Sequence, residues 1–259
     1  MTTLSDELVR TVRGERLADL ALNAIEIIDR NLYERSCDCR WWATDSAVVL
    51  CIGGEPPMCE YASKRLEVIL DSYTVYLDLW VANAEGKVIA TGRPNMYPKA
   101  VGLNVRDRSW FRDAMNTRDG TEFGVADIAV EPSLGGAPVA TYSAGIRVGG
   151  ETNGNLIGVL GIHFDWETQA QTVVDGVRLS DEERPRTRVM LIDSRGLVIA
   201  DSAKKGILRE KYKIQGSGKV GNYVDSSGNF VGWALTPGYE TYSGLGWRGV
   251  LVQKPAGMR

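Results

Sequence analysis

The only histidine of the chain, His163, lies in an apolar run, Asn155-Leu-Ile-Gly-Val-Leu-Gly-Ile-His-Phe164, with Asp165 two residues on. Alternation along a strand over 156–166 sets Leu160, Ile162, Phe164 and Trp166 on one face and Gly161, His163 and Asp165 on the other. A face of Gly, His and Asp backed by an apolar face is what a strand bordering a ligand pocket presents. The same pattern also fits a solvated sheet edge. Upstream, Arg108-Ser-Trp110-Phe111 puts a guanidinium beside two aromatics on a short helix around 106–116. Arginine suits a carboxylate or another planar acceptor, and the two rings supply stacking walls. The alternative is an arginine salt bridge with Trp110 and Phe111 in the core. In a strand over 138–148, Ala140, Tyr142 and Ala144 share a face, small residues around one phenolic hydroxyl.

Catalytic patterns are absent from the sequence. There is no G-x-S-x-G elbow, and Thr141-Tyr-Ser143-Ala-Gly reads as strand interior rather than a strand-to-helix turn. Phosphate and dinucleotide loops are missing, and the glycines read as turn residues. A lone strand histidine more commonly binds or supports than catalyses. The residues therefore read as non-enzymatic, with no cofactor and no metal. Cys37 and Cys39, two apart, point to different sides of a helix. Cys51 and Cys59 flank a turn-rich Ile-Gly-Gly-Glu-Pro-Pro-Met, which either brings them into a disulfide or leaves four small thiols. A zinc site is disfavoured, because there is no C-x-x-C pair and the histidine is far along the chain.

The elements that carry these residues come in two sets. Residues 79–91, Leu-Trp-Val-Ala-Asn-Ala-Glu-Gly-Lys-Val-Ile-Ala-Thr, align at one constant offset with 189–201, Val-Met-Leu-Ile-Asp-Ser-Arg-Gly-Leu-Val-Ile-Ala-Asp, pairing Gly86, Val88, Ile89 and Ala90 with Gly196, Val198, Ile199 and Ala200, and Asn83 with Asp193. Each is a β-hairpin whose turn ends in Gly, at Gly86 and Gly196. The closing Tyr242-Ser-Gly-Leu-Gly-Trp247-Arg-Gly-Val-Leu-Val-Gln253 mirrors the strand that carries His163. The predicted fold class is α+β: a long N-terminal helix followed by two PAS-like antiparallel-sheet modules. Apolar residues at threes and fours from Leu8 to Leu32 predict one helix over 5–35, continued or closed by 38–45, and a second over 58–72. Strands are expected at 74–82, 86–92, 122–129, 138–148 and 156–165. A helix follows at 166–175, then strands at 187–194, 197–202, 219–224, 229–236 and 247–253. The expected domains are the helical region 1–73, a ligand-binding module 74–166 and a second module 167–259. Trp41-Trp42, with Arg40 and Asp45, reads as a clasp between the long helix and the first module, or else as part of the ligand site.

Composition narrows the partners. With 259 residues, 44% hydrophobic, 24% charged and a net charge of −3, the chain is globular, and it has no basic block for nucleic acid. No run approaches the ~20 apolar residues that span a bilayer, and Met1-Thr-Thr-Leu-Ser-Asp-Glu lacks the pattern of a signal peptide.

Three stretches carry a family resemblance: Val81-Ala-Asn-Ala-Glu-Gly-Lys-Val-Ile-Ala, Arg108-Ser-Trp-Phe-Arg-Asp-Ala114 and Tyr242-Ser-Gly-Leu-Gly-Trp-Arg248. The chain resembles the double Cache (dCache) periplasmic sensor domain of bacterial methyl-accepting chemotaxis receptors. The resemblance implies a small-molecule ligand in the membrane-distal module, and signal transduction to membrane segments of the full-length protein that are absent here. It also implies an excised periplasmic region of an inner-membrane receptor. The helix over 5–35 would pair across a homodimer, or else pack only on its own domain. Amino-acid-binding members use Arg-x-Trp-Tyr for the ligand carboxylate, a downstream Tyr, and an Asp for the ammonium group. Here Arg108 and Trp110 match, Phe111 takes the place of that Tyr, and Tyr142 is the downstream tyrosine. His163 takes the Asp position, with Asp165 two residues on, and Leu103 stands where a further tyrosine is expected. The implied ligand is polar or heterocyclic: a purine, an organic acid or an amino-acid-like molecule. The competing reading is a soluble cytosolic PAS-like or hydrolase-type protein using His163 and Asp165, and a third is a relay module with an empty pocket.

Overall fold

The computed structural model describes residues 3–257; Met1 and Thr2 of the N-terminus read above, and Met258 and Arg259 of the expected second module, lie outside them. In chain order the elements are α1 (Leu4–Trp42), α2 (Ser46–Cys51), α3 (Pro56–Ser72), β1 (Tyr76–Asn83), β2 (Val88–Thr91), α4 (Ser109–Met115), β3 (Gly124–Val125) and β4 (Ala129–Glu131). They continue with β5 (Ala137–Arg147), β6 (Leu156–Asp165), α5 (Trp166–Asp175), β7 (Thr187–Ile192), β8 (Val198–Asp201), β9 (Val220–Val224), β10 (Phe230–Leu235) and β11 (Arg248–Gln253). No helix among the described residues is long and apolar enough to cross a membrane.

The repeated hairpin closes by the same bonds both times. The Asn83 N–H donates to the Lys87 carbonyl at 3.0 Å and the Asp193 N–H to the Leu197 carbonyl at 2.9 Å. The side-chain oxygens of Asn83 and Asp193 then accept from the N–H of Lys87 and Leu197. Gly86 at φ +85° and Gly196 at φ +82° hold the left-handed turn position that glycine adopts without steric cost. Each hairpin opens a sheet of the same order. One runs β2-β1-β6-β5-β3, with β4 also on β5, and the other β8-β7-β11-β10-β9, so the last long strand of each set inserts beside the first.

The predicted strand over 122–129 is divided. β3 and β4 both pair with β5, but the register slips by one residue between Val125↔Tyr142 and Ala129↔Val139. The extra residue bulges the strand and breaks the ladder.

The chain forms two compact units, Glu34–Glu167 and Met1–Tyr33 together with Thr168–Arg259. In the second of these, Leu17, Ala18, Ala21, Ala24, Ile25 and Ile28 of α1 are buried. The helix is seated on glycines of the sheet: a Cβ on Gly232 would stand 2.4 Å from the Ala18 nitrogen, and one on Gly249 2.5 Å from the Ala21 oxygen. Leu4, Leu8, Val9 and Val12, ahead of this seat, are exposed, so Leu8 and Val12 are not core residues.

In the unit Glu34–Glu167, the end of α1 lies against one face of the first sheet. Tyr76 donates its hydroxyl to the Asp38 carboxylate, which pairs with Arg35, and the Arg35 guanidinium lies over the rings of Tyr76 and Phe164. Of the two tryptophans expected to form a clasp, Trp42 does so, meeting Tyr73 and Tyr76 edge-on, while Trp41 is exposed. Asp45 caps α2 through the Ala47 N–H and pairs with Arg65.

The helix seat predicts a cost for side chains at its two glycines. Gly232→Ala or Gly249→Ala forces α1 off the sheet and lowers stability by roughly 1–3 kcal/mol, read as a lower urea midpoint. An unchanged midpoint in both variants would contradict this packing.

Candidate functional site

The face of the first sheet turned away from Tyr76 and Phe164 carries the polar residues. Cross-strand register fixes who meets there: Asp78↔His163 and Trp80↔Gly161 between β1 and β6, Thr141↔His163 and Ser143↔Gly161 between β5 and β6. α4 covers this face. A Cβ on Gly161 would stand 2.7 Å from the Trp110 Cζ3, so the glycine is the notch that admits the indole. The Ser143 hydroxyl donates to the Trp110 carbonyl at 2.7 Å and ties α4 down. Trp80, Trp110, Phe111, Val105, Leu134 and Val159 belong to the apolar cluster built around this notch.

His163 lies inside this cluster, 1% exposed, with ring centroids 4.1 Å from Trp80 and 5.6 Å from Trp110. Its Nδ1 shares a 2.9 Å hydrogen bond with the Thr141 hydroxyl, and its Nε2 has no hydrogen-bond partner among the described residues. Burial strips the imidazolium of water and the Arg108 cation adds repulsion. Together they push the pKa down to about 3, so the ring is neutral at physiological pH.

Asp78 has the opposite response. Burial pushes its carboxyl up to about 6, although it accepts from the N–H of Leu79, Gly92 and Arg93 and from the Trp80 indole at 3.0 Å. This carboxylate fixes the Trp80 ring against His163.

At the margin, the half-exposed Arg108 pairs with the buried Glu131 at 3.2 Å, and Glu131 also accepts from the Ser133 N–H. The structure thus brings Arg108, Trp110, Phe111 and His163 into one neighbourhood. Asp165, half-buried, shares the strand face of His163. Tyr142 does not join them: it pairs with Ile162 and faces the other side of the sheet, and Thr141 takes the place beside His163. Sequence reasoning missed Trp80, Thr141 and Glu131. The period-2 pattern Asp78-Trp80-Ala82 could have found Trp80. Glu131, the last residue of the three-residue β4 and just before Pro132, gave no such pattern.

The acid–base pair His163–Asp165 lacks its hydrogen bond, since Nδ1 meets Thr141 and Nε2 meets none. A general base works best with a pKa near the working pH, and about 3 is far below it. No group of three or more His, Cys, Asp or Glu among the described residues could hold a metal. A separate concavity of about 730 Å³ in the other unit is lined by Arg184, Arg186 and Arg188. Arg188 is engaged by Asp201 and Glu210, and Arg184 and Arg186 donate to backbone carbonyls, so the charge there serves the fold.

Comparison with known proteins agrees with this architecture. The double-Cache family model, described as Cache domain, matches residues 60–254. The ligand-binding domain of the Pseudomonas aeruginosa PAO1 amino acid chemoreceptor PctC, in complex with GABA, is similar at a TM-score of 0.68. That match has 17% identity and covers 93% of this chain and 100% of that one. The Campylobacter jejuni chemoreceptor Tlp3 domain with 4-methylisoleucine gives 0.66 at 15% identity, covering 96% of each chain. The sensor domain of the V. cholerae histidine kinase DctB gives 0.63 at 12%, covering 97% of each. No curated protein matches the chain by sequence.

With a single histidine in the chain, its ¹⁵N imidazole signals are unambiguous. They should keep neutral-ring shifts from pH 7 down to about 4, whereas titration near pH 6.5 would contradict the buried geometry. The unfolded histidine takes up a proton below about 6.5 and the folded one does not, so each pH unit of acidification through this window withdraws up to ~1.4 kcal/mol. Asp78, with its raised folded pKa, acts the other way between about 4 and 6.

Proposed function

Because this chain belongs to the Cache domain family, we propose that it is the extracytoplasmic ligand-binding region of a transmembrane receptor, sensing a small molecule without chemical turnover. The ligand sits on the face of β1, β5 and β6 under α4, and the signal leaves through the second unit toward membrane segments outside this chain. The observation that carries this reading is the buried His163 Nε2 with no partner, since a buried polar atom costs free energy until something bonds to it. Binding requires the Trp110 ring to leave its notch over Gly161, which makes the position of α4 the element that differs between free and bound states.

An amino-acid-like ligand is the first choice. Arg108 donates to its carboxylate and Glu131 supplies the acceptor for an ammonium group that a neutral imidazole cannot match. Asp165 is the second acceptor on the same strand face. Trp110 and Phe111 wall the ligand, Thr141 orients His163, and Tyr142 supports the opposite face. PctC and Tlp3, in complex with GABA and 4-methylisoleucine, support this class. A planar heterocycle such as a purine is the second reading, favoured by the two indoles flanking His163. The output is of the methyl-accepting chemotaxis kind, and the likeness to DctB supports a sensor kinase as the alternative. The exposed stripe Leu4, Leu8 and Val12 supports pairing of α1 in a homodimer.

A thermal-shift screen against amino acids, amines, purines and organic acids tests the proposal. A ligand at a hundredfold excess over its Kd adds about 2.7 kcal/mol to the native state. The expected result is a shift of several degrees with one chemical class, lost in Arg108→Ala and weakened in His163→Ala. A shift unaltered by both substitutions would place the ligand elsewhere and overturn the assignment.

A further inference from the structure

Cys51 ends α2 and is buried, while Cys59 is half-buried in the first turn of α3. Their sulfurs are 3.3 Å apart, and the Cys59 Sγ is also 3.6 Å from the Cys51 carbonyl oxygen. The approach is built into the backbone between them. The Gly54 N–H donates to the Cys51 carbonyl at 2.8 Å, Gly54 takes φ +75°, and Pro56 starts α3 with its ring-fixed φ. Ile52 lies on β6, where a Cβ on Gly158 would stand 2.4 Å from its Cδ1. The joint between α2 and α3 therefore rests on the strand that carries Gly161 and His163.

We propose that Cys51 and Cys59 are joined by a disulfide that pins α2 to α3, closed by exchange with an external disulfide of an oxidant protein or small molecule. Cys59, the more exposed of the two, attacks as thiolate on one external sulfur. The external S–S bond breaks, its other sulfur leaves as a thiolate, and a mixed disulfide forms on Cys59. Cys51 then gives its proton to solvent and attacks the Cys59 Sγ. The mixed bond breaks, the Cys51–Cys59 bond forms, and the second external sulfur leaves as a thiolate. The chain gives up two protons and two electrons, and the external disulfide becomes two thiols. Burial and the neighbouring Cys59 sulfur hold the Cys51 thiol above the ordinary cysteine range, which makes it the second to react. Cys37 and Cys39 are otherwise engaged: Arg40 donates to the Cys37 sulfur, and Cys39 is buried and donates to the Ser36 carbonyl.

The test uses the whole chain incubated with oxidised glutathione, then unfolded in urea and alkylated without reduction. Alkylation should reach Cys37 and Cys39 alone, and peptide mapping should recover a linked pair containing Cys51 and Cys59. Reductant should then lower Tm by on the order of 5 °C in the oxidised chain and leave Cys59→Ser unaffected. Alkylation of all four cysteines, a linkage through Cys37 or Cys39, or an equal response of both chains to reductant would overturn the proposal.

Discussion

A histidine sealed among aromatic rings stays neutral far below the usual imidazole range, and the polar face of the first sheet is packed around that neutral ring. With the imidazolium excluded by burial and by Arg108, His163 is a neutral ring with one nitrogen bonded to Thr141 and the other aimed at nothing. The neighbouring polar groups hold the walls around it. Asp78 fixes the Trp80 indole, Ser143 fixes the Trp110 carbonyl, and Gly161 gives up a side chain so that Trp110 fits. Each of these groups is satisfied by its neighbours, whereas the Nε2 has no partner among the described residues.

His163 in place of a carboxylate made an ammonium-bearing ligand hard to accommodate. The pairing of Arg108 with Glu131 returns a buried carboxylate to the site from a different element, the end of β4. An exposed arginine–carboxylate pair contributes little to stability. With Glu131 buried and Arg108 half-exposed, the pair holds a donor and an acceptor side by side, which is what the proposed amino-acid-like ligand would need.

Much of the fold was legible because its signals are local. Two Asn/Asp-to-Gly turns at the same offset marked the duplicated hairpins, and alternation marked β6. Long-range register was not legible. Whether Thr141 or Tyr142 meets His163 depends on how β5 slides against β6, and both residues suit a strand equally. The division of the strand before β5 depends on one bulged residue, which leaves no mark in composition. At the start of α1, Leu8 and Val12 continue the apolar periodicity beyond the sheet that buries Leu17 to Ile28, so pattern alone overstated the core.

Ligand contact with His163 is read from the ¹⁵N signal of its Nε2 while the molecule that most stabilises the fold is titrated in. This resonance and the Trp110 indole should move together, saturating at one midpoint, as the ligand bonds to the nitrogen and lifts the ring from Gly161. A ligand that saturates the protein while both signals stay in place would contradict it.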